Sequence, residues 1–246
     1  MTSFEKYYLQ CPSCKSWLTG KQANSDSVNQ SLLYSDGMVI SDLLPINHQK
    51  IILCPACAAF FWRHKQTAEK DKAVLQGFHA YPWSSWHLFG CNLLSNAGRK
   101  ALVKHYWCVL EKIKPLDEQQ ETALRKSLLW AYNDLYRDAL SFSIKDVYNN
   151  KFSLRSWLNL KLFHKRNRLF YEAEQAHFQT NLLRLIALTE KLPEPDAAEL
   201  AELYREAGDF KKAAEIIEKI DRRTHFINSL INYIQKGERL VFKVAG

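Results

Sequence analysis

Two cysteine pairs, Cys11-Pro-Ser-Cys14 and Cys54-Pro-Ala-Cys57, constrain this chain more than any other feature. Two residues between cysteines let both sulfurs point into one tight turn, a knuckle. Two knuckles supply four thiolates, enough to complete a tetrahedron around Zn²⁺. The proline in each knuckle restricts the loop before metal arrives. Thirty-nine residues, Lys15 to Leu53, separate the pairs, a spacing that suits a zinc ribbon with a hairpin between its knuckles. Four thiolates leave no open coordination position. The pattern therefore predicts one structural Zn²⁺ on Cys11, Cys14, Cys54 and Cys57, with iron in a rubredoxin-like S₄ site as the rival metal. The bland alternative is four unligated or redox-active thiols. A glycine often follows the second knuckle cysteine, but Lys15 and Ala58 stand there. Cys91 and Cys108 fall outside the pattern and read as small buried hydrophobes.

The reading of paired cysteines as metal ligands depends on a reducing compartment. The N-terminal residues carry no apolar stretch of signal-peptide length, and no segment has the unbroken apolar run of a bilayer span. A cytoplasmic protein with no membrane span is the expectation. Hydrophobic residues are 47% of 246, so a sizeable core is available. Only 8 Gly and 7 Pro imply long elements with few turns. The net charge of +8 favours anionic partners without choosing among them.

The pattern predicts a mainly α protein: a small N-terminal β zinc-ribbon module over 1–60, then a helical, TPR-like array over 61–246. Leu32-Leu33-Tyr34 and Met38-Val39-Ile40 flank Ser35-Asp36-Gly37, a hairpin signal. Gly20 to Gln30 reads as a loop and Lys50 to Leu53 as a short strand. Ala58 to Gln76 reads as a helix and Gly77 to Gly90 as an aromatic-rich connection. Ser95 is placed as the cap of a helix reaching about Lys114, and Asp117 at the start of the next, with Glu118 and Glu121 suited to its positive end. Ser153 to Leu192 reads as one long helix or two. The final stretch gives three short helices, Asp196–Ala207, Phe210–Ile220 and Thr224–Gln235. A Gly208-Asp209 turn followed by Ala213-Ala214 marks a helical hairpin at about 196–236, similar to the turn of a tetratricopeptide repeat.

Asp42-Leu-Leu-Pro45, the strand that follows, Cys54-Pro-Ala-Cys57 and the closing Ala198-Glu-Leu-Ala-Glu-Leu-Tyr-Arg-Glu-Ala-Gly-Asp-Phe together resemble an uncharacterised bacterial family. Its members look like a zinc ribbon fused to a helical, tetratricopeptide-like half. The two matching segments cover a third of the chain at most. The resemblance implies an architecture and a cytosolic bacterial setting, and no reaction.

Function is read from what remains. Lys151, Arg155, Lys161, Lys165, Arg166 and Arg168 alternate with aromatics over 151–171, a stretch without a carboxylate. Such a segment suits a phosphate backbone and stacked bases. At helical spacing, however, Trp157, Leu160 and Phe163 form an inward stripe, and the cations become a solvated face; this second reading is preferred. Phe78 to Phe89, with Trp83 and Trp86, reads as a loop packed on the core in preference to a ligand groove. No His pair, phosphate loop or nucleophile elbow marks a catalytic site. The sequence therefore points to a non-enzymatic interaction protein that binds a protein or peptide through its helical half. Nucleic-acid binding through 151–171 is the alternative.

Overall fold

The structure, a computed structural model, describes residues 4–23, 31–41, 51–62, 80–82, 87–88, 91–92, 96–113, 116–137 and 172–244. It is mainly α-helical with a small β module at the N-terminus. The chain divides into two compact units, Met1–Ser31 with Ile40–Ala101, and Leu32–Val39 with Leu102–Gly246.

The first unit is built from hairpins. Strands β1 (Phe4–Gln10) and β2 (Trp17–Ala23) pair antiparallel along their whole length. Strand β7 (Ala80–Pro82) joins β2 in parallel. Strands β5 (Ile51–Leu53) and β6 (Phe60–Trp62) form a second antiparallel pair. A third, short pair joins β8 (His87–Leu88) to β9 (Cys91–Asn92). The turn of the first hairpin is Cys11–Ser16 and that of the second is Cys54–Ala59, so each knuckle is itself a hairpin turn. Buried Leu9, Cys11, Leu18, Ile52, Cys54 and Phe61 form one apolar cluster. Its halves are related by a constant offset, since Leu9, Cys11 and Leu18 each stand 43 positions before Ile52, Cys54 and Phe61. The module is a duplicated strand–knuckle–strand unit whose copies share one core.

Three sequence expectations change here. The helix expected from Ala58 begins instead with strand β6, because Phe60-Phe61-Trp62 pairs with Ile51-Ile52-Leu53. Gly20 to Ala23, expected as loop, continues β2 opposite Phe4 to Tyr7. Within the aromatic connection, Ala80–Pro82 and His87–Leu88 are strands.

The second unit carries the described helices: α1 (Asn96–Lys112, from Leu102 onward), α2 (Glu118–Arg137), α3 (Gln175–Glu190), α4 (Ala197–Ala207), α5 (Phe210–Ile217) and α6 (His225–Gln235). Their ends follow local chemistry. Asp117 Oδ1 accepts from Gln120 N at 2.7 Å, and Glu118 and Glu121 occupy the first turn of α2. Asp196 caps α4 by accepting from Ala198 N and Glu199 N. Gly208, at φ 90°, closes α4 in the left-handed conformation that favours glycine. Asp209 then caps α5 and Thr224 caps α6. Helix α5 ends at Ile217, three residues before the expected Ile220. Phe178, Leu182 and Leu185 of α3 and Leu128 and Tyr132 of α2 are buried, and the Tyr132 and Phe178 rings meet edge to face at 5.2 Å. Glu121 ties α2 to α3: it accepts from Arg125 Nε at 2.7 Å and from both Nε and Nη2 of Arg184 at 2.9 and 2.7 Å. Those guanidinium contacts, from Arg184 first, hold its carboxyl down at about 2.

The predicted hairpin forms, with β3 at Ser31–Leu33 and β4 at Val39–Ser41, but residues 32–39 belong to the helical unit. Tyr34 bridges Lys243, Ser35 N donates to Phe242 O, and Val244 N donates to Leu33 O, each hydrogen bond being 2.9 Å. Trp130 Nε1 of α2 donates to Asp36 O at 3.0 Å. The hairpin is thus bonded to the C-terminal segment and to α2.

Candidate metal centre

Strand pairing sets the position of all four cysteines. Each knuckle repeats the same backbone bonds: Cys11 N to Ser16 O and Lys15 N to Cys11 O in the first, Cys54 N to Ala59 O and Ala58 N to Cys54 O in the second, all 2.9 Å. This geometry forces Lys15 to φ 60° and Ala58 to φ 57°. The positions where a glycine is common are therefore left-handed, and this chain fills them with residues that resist the conformation.

The knuckles face each other. Cys11 Sγ lies 3.7 Å from Cys57 Sγ, and Cys14 Sγ lies 3.7 Å from Cys54 Sγ. All four ligand atoms fall within 4.8 Å of one another. Sulfurs bound at about 2.3 Å to one tetrahedral ion sit about 3.8 Å apart, and the two 3.7 Å separations match that edge. They are well beyond a disulfide bond of about 2.05 Å, and the cysteines are free thiols. Four soft sulfur donors with no oxygen among them suit zinc or iron and disfavour magnesium or calcium. The cluster is compatible with a closed structural metal site.

Burial is split evenly. Cys11 and Cys54, the first of each pair, are 0% and 1% exposed, whereas Cys14 and Cys57 are exposed. The first sulfurs belong to the module's core and the second close the site from outside. Hydrogen bonds from the Ser16 side chain and backbone hold the Cys14 thiol down at about 6. Desolvation pushes Cys54 up to about 12, against backbone hydrogen bonds from Cys57 and Ala56. Without a cation, the buried Cys54 resists becoming thiolate; a divalent ion supplies the charge that burial withholds.

Among the other sequence candidates, Cys108 is half-buried in α1. Cys91 is in β9. Lys151, Arg155, Lys161, Lys165, Arg166 and Arg168 lie outside the described residues. Among the described residues, no helix is long and apolar enough to cross a membrane.

The sequence did not reveal a buried polar cluster in the helical unit. Arg205 of α4 is 0% exposed and donates through Nε and Nη2 to the two Glu202 carboxylate oxygens at 2.7 and 2.6 Å. Its Nη1 donates to Glu238 O and, at 3.1 Å, to Leu240 O. The guanidinium also sits 5.3 Å from the centre of the Phe242 ring, which stacks on Tyr233 at 4.0 Å. Asn133 Nδ2 is shared by Asp36 Oδ2 at 2.8 Å and Glu206 Oε2 at 3.0 Å. Burial, with the neighbouring Glu202 and Asp36 carboxylates, pushes Glu206 well above the usual carboxyl range. The available signal was Glu202 and Arg205, three apart on one helix and one turn before Gly208. Charged pairs at that spacing are ordinarily solvated, so the spacing by itself does not announce a buried pair.

Fold and site together define a mainly helical protein with an N-terminal β module that carries a four-cysteine cluster. No protein-family model, curated protein or solved structure matches this chain.

Proposed function

We propose that the four cysteines hold one structural zinc ion, and that the protein is a cytoplasmic, non-enzymatic adaptor whose helical unit receives a protein or peptide partner. The observation that carries the zinc reading is the closed donor set: four sulfurs within 4.8 Å of one another, two of them inside the module's described core cluster. A metal held this way organises hairpins and offers no site to a substrate. Zinc accepts such a site without redox chemistry, and a reducing compartment keeps all four thiols available. The adaptor reading is supported by the short capped helices α4 to α6, which suit a TPR-like array. Leu33, Leu183, Leu192 and Leu240 are large apolar side chains left exposed on that unit.

Metal analysis of the purified 246-residue chain tests the first half. One equivalent of zinc is expected, and cobalt(II) replacement should give the intense sulfur-to-metal bands of a tetrahedral S₄ site. Iron in its place would correct the metal. Metal-free protein with four freely reactive thiols would overturn the reading. For the second half, a random peptide library displayed against the zinc-loaded chain should converge on a motif. No convergence, together with salt-sensitive RNA or DNA binding that weakens on replacing Lys165, Arg166 and Arg168 with Ala, would overturn the adaptor reading in favour of nucleic acid.

A further inference from the structure

The four sulfurs of the cysteine cluster alternate between solvent and core. Exposed Cys14 lies 3.7 Å from buried Cys54, and exposed Cys57 lies 3.7 Å from buried Cys11. Each contact joins an outer sulfur to a core sulfur, and each crosses from one knuckle to the other. Solvent therefore reaches a thiol whose neighbour belongs to the opposite hairpin. A small oxidant meets the outer sulfur first, and the sulfur beside it is in place to complete a disulfide. The pair has to close from 3.7 Å to about 2.05 Å. Exposed thiolates with a resolving cysteine next to them are the ones that peroxides oxidise selectively.

The chemistry takes two steps. The outer thiolate attacks one oxygen of hydrogen peroxide. An S–O bond forms, the O–O bond breaks and hydroxide leaves, so the sulfur is oxidised by two electrons to a sulfenic acid and the peroxide is reduced. The core thiolate of the opposite knuckle then attacks that sulfur. An S–S bond forms, the S–O bond breaks and a second hydroxide leaves. Two thiolates and one hydrogen peroxide thus give one disulfide and two hydroxides. The thiolate is the form of cysteine that ligates metal, and a disulfide sulfur is neutral. One oxidation therefore takes two of the four donors from the site.

We infer that the four-cysteine site is a peroxide-sensitive switch, in which Cys14 and Cys57 are attacked, Cys54 and Cys11 respectively resolve them, and a disulfide between the knuckles takes the place of the metal. The inference rests on the zinc reading and adds a regulation to that site. Zinc itself exchanges no electrons; the sulfurs do. The new S–S bond still ties one hairpin to the other, so oxidation changes the kind of cross-link and frees the ion. A dithiol reductant reverses the disulfide by exchange and returns all four ligands.

The test uses the zinc-loaded 246-residue chain, hydrogen peroxide and a colorimetric zinc chelator. Zinc content is measured before oxidant is added. Peroxide should then release the full equivalent of zinc as the first disulfide forms, and dithiothreitol with added zinc should restore it. Trypsin leaves Cys11 and Cys14 on one peptide, Tyr7–Lys15, and Cys54 and Cys57 on another, Ile51–Arg63. A disulfide between the knuckles links the two peptides, whereas one within a knuckle leaves them separate. The linked pair is expected in the mass spectrum, with fragmentation assigning Cys14 to Cys54 or Cys57 to Cys11. A sulfenic-acid trap present during oxidation should mark Cys14 or Cys57 and spare Cys11 and Cys54. Zinc that stays bound while glutathione in the same tube is fully oxidised would overturn the inference, as would any other cysteine pairing or a trap on the buried sulfurs. Protein purified without zinc would sink the zinc reading and the switch with it. Zinc-bound protein that resists peroxide would sink the switch alone.

Discussion

The two units stabilise their interiors by different means. In the cysteine unit the one described core cluster has six members, and two of them are the sulfurs of Cys11 and Cys54. In the helical unit Tyr132, Leu128, Phe178, Leu182 and Leu185 build an apolar core, which also accommodates the buried Arg205–Glu202 pair. On the zinc reading, a core made partly of metal ligands does not hold its fold without the metal. A helical core with its own apolar stripes does, and it answers to substitution and pH. The comparison predicts two sensitivities in one chain: to chelation in the first unit, to internal charge in the second.

Metal removal should produce the largest effect. Apparent binding energies for structural zinc are about 10–16 kcal/mol, as large as the whole stability of an ordinary domain. A chelator should collapse the amide dispersion of residues 4–23 and 51–62 while signals from 172–244 persist. Cys54→Ser should cost more order than Cys14→Ser, because Cys54 also fills the core and Cys14 is exposed. Collapse of both units together on chelation would break the comparison.

Next comes the buried ion pair. Removing one partner leaves a carboxylate in the interior with nothing opposite it, at a cost of about 3–5 kcal/mol. Arg205→Ala should lower the helical unit's urea midpoint accordingly and also release the bonds to Glu238 O and Leu240 O. Zinc stoichiometry should not change. Replacing both partners, Glu202→Leu with Arg205→Met, should recover most of the loss, since apolar substitutes of similar volume often match a buried pair. If the double variant were as unstable as Arg205→Ala, the charges would be specifying the C-terminal segment in a way apolar packing cannot.

Glu206 gives the pH arm. Its folded-state pKa is raised, by burial first and then by Glu202 and Asp36. The folded chain therefore keeps a proton that the unfolded chain releases above about 4.3. Stability from this group is complete below that value and falls as pH rises toward the folded value, by about 1.4 kcal/mol per pH unit across the window. Glu206→Gln removes the titration and retains an acceptor for Asn133. The variant should match the parent near pH 4 and exceed it near pH 7 in urea midpoint. Parallel pH profiles would show that the carboxyl is not held protonated.

How much of this was legible follows from the range of each interaction. The cysteine knuckles were readable because ligand spacing is local, and the same holds for the helix starts at Asp196 and Thr224 and the Gly208-Asp209 turn. Phe60-Phe61-Trp62 was misread because a short apolar run after two alanines fits a helix or a strand equally; its partner β5 decides, and pairing is not a property of the run. The Ser35-Asp36-Gly37 turn was visible, but its destination was not. Asp36 meets Asn133 97 positions away and Ser35 meets Phe242 at 207, distances at which no sequence period carries information. The duplication by 43 residues was hidden because only the prolines, the cysteines and the apolar character of their neighbours repeat.

The smallest predicted effect contrasts the left-handed positions of the two units. In the helical unit they are held by Gly37, Gly208 and Gly237; in the knuckles they are held by Lys15 and Ala58. A residue with a Cβ pays about 1–2 kcal/mol for that conformation, while glycine loses about 0.4–1 kcal/mol through its freer unfolded chain. Ala58→Gly should therefore stabilise the metal-loaded module by about 0.5–1 kcal/mol, seen as tighter retention of zinc against a competing chelator. Lys15→Gly should act alike, because the carbonyl that accepts from Gln10 Nε2 is backbone and survives. Gly208→Ala should go the other way, since its added Cβ would also lie 3.2 Å from Arg239 Nε, which is bound to Glu206 O. Opposite signs would mean that the knuckles tolerate strain that the helical turn does not, with the metal holding the backbone in place. A loss on Ala58→Gly would mean that the Ala58 methyl group contributes packing worth more than the strain it brings.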